Sequence, residues 1–329
     1  MKKLLRHSIL SIGVLASSFL PAISTAADNF PNKPITYIVP FAPGGASDIG
    51  GRILSEALSK ELKQTVVVEN KTGAAGTIGL GQLIRSAPDG HTLSIVVPPN
   101  LLAPYLMPTA PYDLSKDVKA VGLTYLTPTV IAINPKFHPN IKDLNALIQA
   151  AKDSKNGLNY ATVGVGSTGH LSMELLAKDL NIKLEHIPFR GSSPGVTALL
   201  AGEIDFMFSD IVSLLSHLDA GTLIPIAVGT DDRLSQLPNV PTIKEQNPKA
   251  NTISTWTGIV VPAQTPDAIV DKLSAALKKV LESPELQERL TAIGAIPYYR
   301  DGAFMQKRIV DDSAFWNKII QDNNLQQKN

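Results

Sequence analysis

Three glycine-rich stretches in this chain combine what is needed to hold an anion: backbone donors freed by glycine, and small hydroxyl side chains. The first is Phe41–Ala42–Pro43–Gly44–Gly45–Ala46–Ser47–Asp48, the second Gly164–Val165–Gly166–Ser167–Thr168–Gly169–His170, the third Phe189–Arg190–Gly191–Ser192–Ser193–Pro194–Gly195. In the first, adjacent glycines let the backbone take positive φ and turn its amides outward. A helix beginning near Ala46–Ser47 adds unpaired N–H donors and a partial positive charge. A carboxylate suits that junction, with backbone amides in the main role, because Asp48 facing an anion is unfavourable; Ser47 or Asp48 can instead cap the helix. In the second, the hydroxyls of Ser167 and Thr168 add donors, and His170 stands equally as a ligand-proximal or a structural group. In the third, a guanidinium at Arg190 could pair in bidentate fashion with the far carboxylate of a dicarboxylate.

Two of these stretches also fit other chemistries. Gly164-x-Gly166-x-x-Gly169 satisfies the dinucleotide fingerprint, which requires the first strand of its domain and an acid about 20 residues on at a strand end. Here the unit falls mid-chain and Glu185 lies within or before its strand, so no cofactor is expected. Gly191-x-Ser193-x-Gly195 satisfies a nucleophile elbow, with Asp205 or Asp210 and then His217 in chain order. However, His217 falls in a predicted helix just after Asp210, whereas such hydrolases bring their histidine on a late loop. An exported hydrolase using Ser193 is the alternative to a non-enzymatic reading. No second histidine or carboxylate stands at metal spacing from His170, so no metal is expected. Phe208–Ser209–Asp210 closes a strand, and either Ser209 or Asp210 faces the same cleft.

The elements that must position these turns alternate. Short β-branched runs (Thr36–Val39, Thr65–Glu69, Thr92–Val97) are followed by amphipathic stretches (Ile49–Leu62, Ile78–Ser86), the βαβ rhythm of a sheet covered by helices. The rhythm repeats from Val130 to Asp219, and the chain turns helix-rich after Ile224–Val228. Strand-like crossings near Val118–Leu126 and Ile224–Gly229 bracket the middle units. The expected architecture is α/β with two lobes, each a mainly parallel sheet flanked by helices. Residues 27–122 and 229–329 form one discontinuous domain and 123–228 an inserted one, with a hinge at the crossings.

Lys2, Lys3 and Arg6, an apolar run from Ile9 to Leu20 and Ser24–Thr25–Ala26 read as an export signal cleaved after Ala26. The run falls short of the roughly 20 residues a spanning helix needs, and Pro21 interrupts it. The chain has no cysteine, so disulfides contribute nothing. Removing three basic residues takes Lys+Arg from 30 to 27 against 29 Asp+Glu, moving the formal charge from +1 to −2. Neither balance points to nucleic acid or a membrane surface.

Further motifs run in order along the chain: Val66–Val67–Val68–Glu69–Asn70, Ala87–Pro88–Asp89–Gly90–His91–Thr92–Leu93, His186–Ile187–Pro188–Phe189–Arg190–Gly191 and Leu237–Pro238–Asn239–Val240–Pro241–Thr242. With Val39–Pro40–Phe41–Ala42–Pro43–Gly44–Gly45, this collinear set resembles the Bug/TctC-type solute-binding proteins of tripartite tricarboxylate transporters over nearly the whole mature chain. The resemblance implies a type II-like periplasmic-binding fold, with two lobes joined by two strands and a small carboxylate in the cleft. It also implies delivery to the membrane subunits of such a transporter, or alternatively to a sensor kinase, by a periplasmic protein taken here as a monomer. It puts Trp256–Thr257–Gly258 on a returning strand near the cleft. The family often has Tyr where Phe189 stands and Asp directly after the residue matching Phe208. Ser209 at that place would tilt the site from amino acids toward plain acids.

Overall fold

The computed structural model describes residues 29–106, 110, 112–230, 232–248 and 255–322; the export signal and its expected cleavage at Ala26 lie outside the described residues. In chain order the first lobe opens with β1 (Ile35–Val39), α1 (Ala46–Leu62), β2 (Val66–Asn70), α2 (Thr77–Ile84), β3 (Thr92–Val96), α3 (Pro98–Leu106) and β4 (Val118–Thr127). The second lobe follows with β5 (Thr129–Ile133), α4 (Leu144–Asp153), β6 (Leu158–Thr162), α5 (Thr168–Leu180), β7 (Leu184–Pro188), α6 (Ser192–Ala201), β8 (Phe206–Asp210), α7 (Leu215–Asp219), β9 (Ile224–Val228) and α8 (Ile243–Gln246). The chain then returns through β10 (Thr255–Pro262), α9 (Asp267–Leu281), α10 (Pro284–Ala292), β11 (Ile296–Asp301) and α11 (Gly302–Asp322).

The first sheet has strand order β11-β4-β10-β3-β1-β2 and the second β7-β6-β8-β5-β9. Pairing is parallel among β1, β2 and β3 and among β6, β7 and β8, where helical crossovers join the strands. It is antiparallel where β4, β5 and β10 meet their neighbours. Each sheet is therefore mixed rather than mainly parallel, because strands that cross between lobes enter without a covering helix and can run against the grain. Ile35, Tyr37, Ile38 and Val39 of β1 are all buried, as a strand covered on both faces requires. Helix α1 buries Ile53, Leu54 and Leu58 against this sheet and fixes its distance through Ser55, whose hydroxyl donates to Val66 O at 2.6 Å.

Pro128 alone separates β4 of the first sheet from β5 of the second. The run Ile224–Gly229 makes no such passage. Ile224–Val228 is the edge strand of the second sheet, and the chain beyond it stays with that lobe. Val228 N donates to Pro241 O at 3.0 Å, and the Gln246 side chain accepts from Leu144 N (2.9 Å) and donates to Ile226 O (3.2 Å). Ile243 is buried in the second-lobe core. The returning strand is β10, with Thr255 opposite Thr127. A short apolar run reads the same as a crossing or an edge, and only its distant partners decide. β11 was not legible either; Ile-Pro-Tyr-Tyr-Arg-Asp carries a proline and largely exposed side chains, as an edge strand tolerates.

The lobes also touch beside the cleft. Leu171 of α5 is fully buried against Leu102 and Leu106 of α3 and Trp316 and Ile320 of α11.

Candidate functional site

The cleft between the lobes encloses about 650 Å³, counted to its open mouth. The first lobe supplies Phe41, Gly45, Ala46 and Ser47, and the second Thr168, Gly191, Ser192, Ser209 and Asp210. Thr127, Thr129, Thr255 and Thr257 of the crossing strands also line it. Three helices of ten or more residues start on this cavity: α1 at Ala46, α5 at Thr168 and α6 at Ser192. Their caps differ. Ser167 caps α5 by accepting from His170 N at 3.2 Å, whereas Gly45 and Gly191 give α1 and α6 no side-chain cap. First-turn N–H groups of those two helices remain available, and the partial positive charges of three helix ends add at one place.

Asp210 is the one ionisable residue among the described residues lining this cavity. Its carboxylate is occupied by its own lobe, accepting from the hydroxyls of Ser192 (2.9 Å), Ser209 (3.2 Å) and Ser213 (2.8 Å) and from Ser213 N (3.1 Å). Ser209 thus does not leave the wall free of carboxylate; it helps to engage the one next door.

The cleft lips meet because two glycines carry no side chain. Gly44 has φ +76°, and a Cβ there would lie 3.2 Å from Ser193 Oγ; Gly191 has φ +117°, and its Cβ would lie 3.3 Å from Ala42 Cβ. Ser193 Oγ donates across the gap to Pro43 O at 3.3 Å, and the Thr168 and Thr255 hydroxyls pair at 3.1 Å. The hydrolase arrangement is not assembled: the Ser193 hydroxyl goes to a carbonyl, while His217 Nδ1 pairs with Thr222 Oγ1 at 3.3 Å.

Four residues of these stretches do not line the cavity and are engaged elsewhere in the protein. Asp48 is buried, with Oδ2 accepting from Gly44 N (2.9 Å) and Arg52 Nε (3.0 Å) and Oδ1 from Asn70 Nδ2 (2.9 Å). Burial opposes its charge, yet these hydrogen bonds and the Arg52 guanidinium outweigh it and hold the carboxyl below its usual range. Gly166 packs against Leu106, and Ser167 spends its hydroxyl on the α5 cap. His170 Nδ1 accepts from Gly166 N at 3.1 Å, and its ring stacks on His186 at 4.1 Å between centroids. His186 Nε2 in turn pairs with Thr162 Oγ1 at 2.7 Å. Burial pushes His170 down to about 4, and burial together with His170 pushes His186 down to about 3. Trp256 also lies away from the rim, buried in the first-lobe core with Nε1 donating to Asp312 Oδ2 at 2.7 Å.

Phe189 and Arg190 are not in this cavity. They line a neighbouring chamber, also about 650 Å³ to its mouth, together with the Thr72–Gly76 turn and Gly164. Phe41 and Val163 line both spaces. Of the four threonines only Thr257 was singled out in the sequence; the buried Thr129 hydroxyl lacks a hydrogen-bond partner among the described residues.

A family model described as tripartite tricarboxylate transporter family receptor matches residues 51–325. Protein BugT of Bordetella pertussis is 32% identical over 313 residues, covering 94% of this chain and 95% of that protein. Among solved structures, periplasmic binding protein BugD is 30% identical with a TM-score of 0.86, covering 91% of this chain and all of that one. MatC of Rhodopseudomonas palustris, solved with bound malate, is 30% identical with a TM-score of 0.83, covering 88% of this chain and all of that one. The family match, the sequence identities and the shared fold agree, and the chain belongs to the tripartite tricarboxylate transporter receptor family.

Proposed function

We propose that this protein, exported to the periplasm by its N-terminal signal, closes its two lobes on a small carboxylic acid and presents it to the membrane subunits of a tripartite tricarboxylate transporter. The observation that carries the reading is the convergence of three helix N-termini, two without side-chain caps, on a cavity with no lysine, arginine or histidine among its described lining. Amides and hydroxyls hold an anion there without a countercharge, so release needs no ion pair to be broken. Because ligand groups contact both lobes, binding favours the closed arrangement by its differential affinity.

Malate in the MatC structure is a plain hydroxy-diacid, and it suits a wall whose carboxylate is already engaged by serines. With Ser209 and the occupied Asp210 offering little to an ammonium group, plain acids are favoured over amino acids. Thermal unfolding with a panel of mono-, di- and tricarboxylates and amino acids tests this. A true ligand at 100 times its Kd adds about 2.7 kcal/mol of stability. No shift across the panel sinks the receptor reading; aspartate outperforming malate sinks the plain-acid preference alone.

A further inference from the structure

Beside the ligand cavity, the second chamber takes its walls from both lobes: the turn 72–76 from the first, and Gly164, Val165 and residues 188–190 from the second. The rest of its lining, Pro40, Phe41 and Val163, is apolar, and Arg190 is its one charged residue among those described. Arg190 is exposed and has no hydrogen-bond or ion-pair partner among the described residues, whereas Lys71, just before the turn, is already paired with Glu69 at 2.6 Å. The turn is held firmly in place. Gly73 to Gly76 run through positive φ values of +127°, +46°, +52° and +88°, two of them at alanines, and such a run persists only when its surroundings impose it. Fully buried Asn100 does so, donating to Ala75 O at 2.9 Å and accepting from Val97 N at 3.0 Å. Ala74 and Ala75 both line the chamber, and their N–H groups have no acceptor among the described residues. Ile78, whose side chain reaches Gly73, is exposed beside them.

We propose that this chamber is the socket by which the transporter's membrane subunits recognise the closed receptor: an acidic side chain of theirs enters it and pairs with Arg190, while an apolar neighbour covers Ile78. The proposal rests on the proposed delivery to a tripartite transporter. A guanidinium with apolar surroundings and no internal partner gains more from an incoming carboxylate than a fully solvated arginine does. The described lining holds no acid that would repel one. Its two halves sit on different lobes, so opening the cleft moves Arg190 away from the turn 72–76 and takes the socket apart. A partner that touches both halves at once therefore engages the closed form over the open one, by its differential affinity for the two arrangements.

Uptake and binding, measured on the same variants, test this. The probe is the acid of the thermal panel that stabilises the mature protein most, radiolabelled and supplied to cells whose own copy of the gene is replaced by each variant. Arg190→Gln in one lobe and Ile78→Asp in the other should each leave the Kd for that acid within about twofold and cut the initial uptake rate at least about tenfold. Arg190→Lys, which keeps the charge without the planar fork, should fall between. Unchanged uptake in either Arg190→Gln or Ile78→Asp overturns the socket. So does a loss of acid affinity that matches the loss of uptake, which would make Arg190 a contact of the small ligand. If the unmodified protein binds the acid and supports no uptake, delivery falls and the socket with it; if it binds no acid of the panel, the receptor reading falls too.

Discussion

Each lobe reaches the cavity with the same piece of structure, a strand passing through a glycine turn into a helix, but the two turns are braced by opposite chemistry. In the first lobe the Gly44 turn hangs on the charged carboxylate of Asp48, itself gripped by Arg52 and Asn70. In the second the Gly166 turn hangs on a neutral imidazole, His170, stacked on a second one. The first brace works only while its acid is ionised, and the second only while its bases are not. A site assembled from both has its full geometry where Asp is charged and His is neutral.

The largest way to break this symmetry is Asp48→Ala, which strands the Gly44 N–H and the Asn70 amide together. It should remove about 3 kcal/mol from denaturant unfolding, with ligand affinity falling alongside. A loss below about 0.5 kcal/mol, typical of a surface change, would end Asp48's role as a brace. Next in size is the pH response. The folded values near 4 and 3 lie under the ordinary 6.5, so the unfolded chain takes up protons that the folded pair refuses. Stability is therefore full above about pH 6.5 and declines as pH falls toward 4. The Asp48 contribution has the other window: present above the ordinary carboxyl value of 3.8 and lost as pH falls through its lower folded value. His170→Phe/His186→Phe should flatten the upper decline and leave the lower one; a flat wild-type curve between pH 6.5 and 4 would refute the imidazole brace. Smallest is Thr168→Val, which removes the hydroxyl pair between lobes. Ligand binding should weaken roughly fivefold, about 1 kcal/mol, with the unfolding midpoint unchanged. An equal drop in both would make the contact part of lobe stability rather than closure.

What could be read from the sequence was local. Gly44–Gly45, Ser47 and Ser192 stood out because glycine and serine mark a strand-to-helix junction, although the Gly44 amide and the Ser192 hydroxyl are spent on Asp48 and Asp210. Asp48 and His170 stood open between a ligand-proximal and a structural place, because the partners that fix them, Asn70 and His186, lie 22 and 16 positions away in the chain. Thr127, Thr129 and Thr255 gave no signal, since threonine in a strand is ordinary and only the crossing of two sheets gathers them with Thr257. Alternating strands and helices made the two-lobed α/β plan visible, but the fate of Ile224–Val228 depended on contacts with Pro241 and Gln246.

The Leu171 cluster sets a thermal property of the clamp. Any rotation that draws Leu171 away from Leu102, Leu106, Trp316 and Ile320 wets carbon surface that is dry in the closed form. On the proposed closure, water would be released and ligand uptake would carry a negative heat capacity change from the protein's own interior as well as from its guest. As apolar hydration grows less unfavourable on cooling, the same lobes hold each other more loosely in the cold, and a greater part of the grip passes to the ligand.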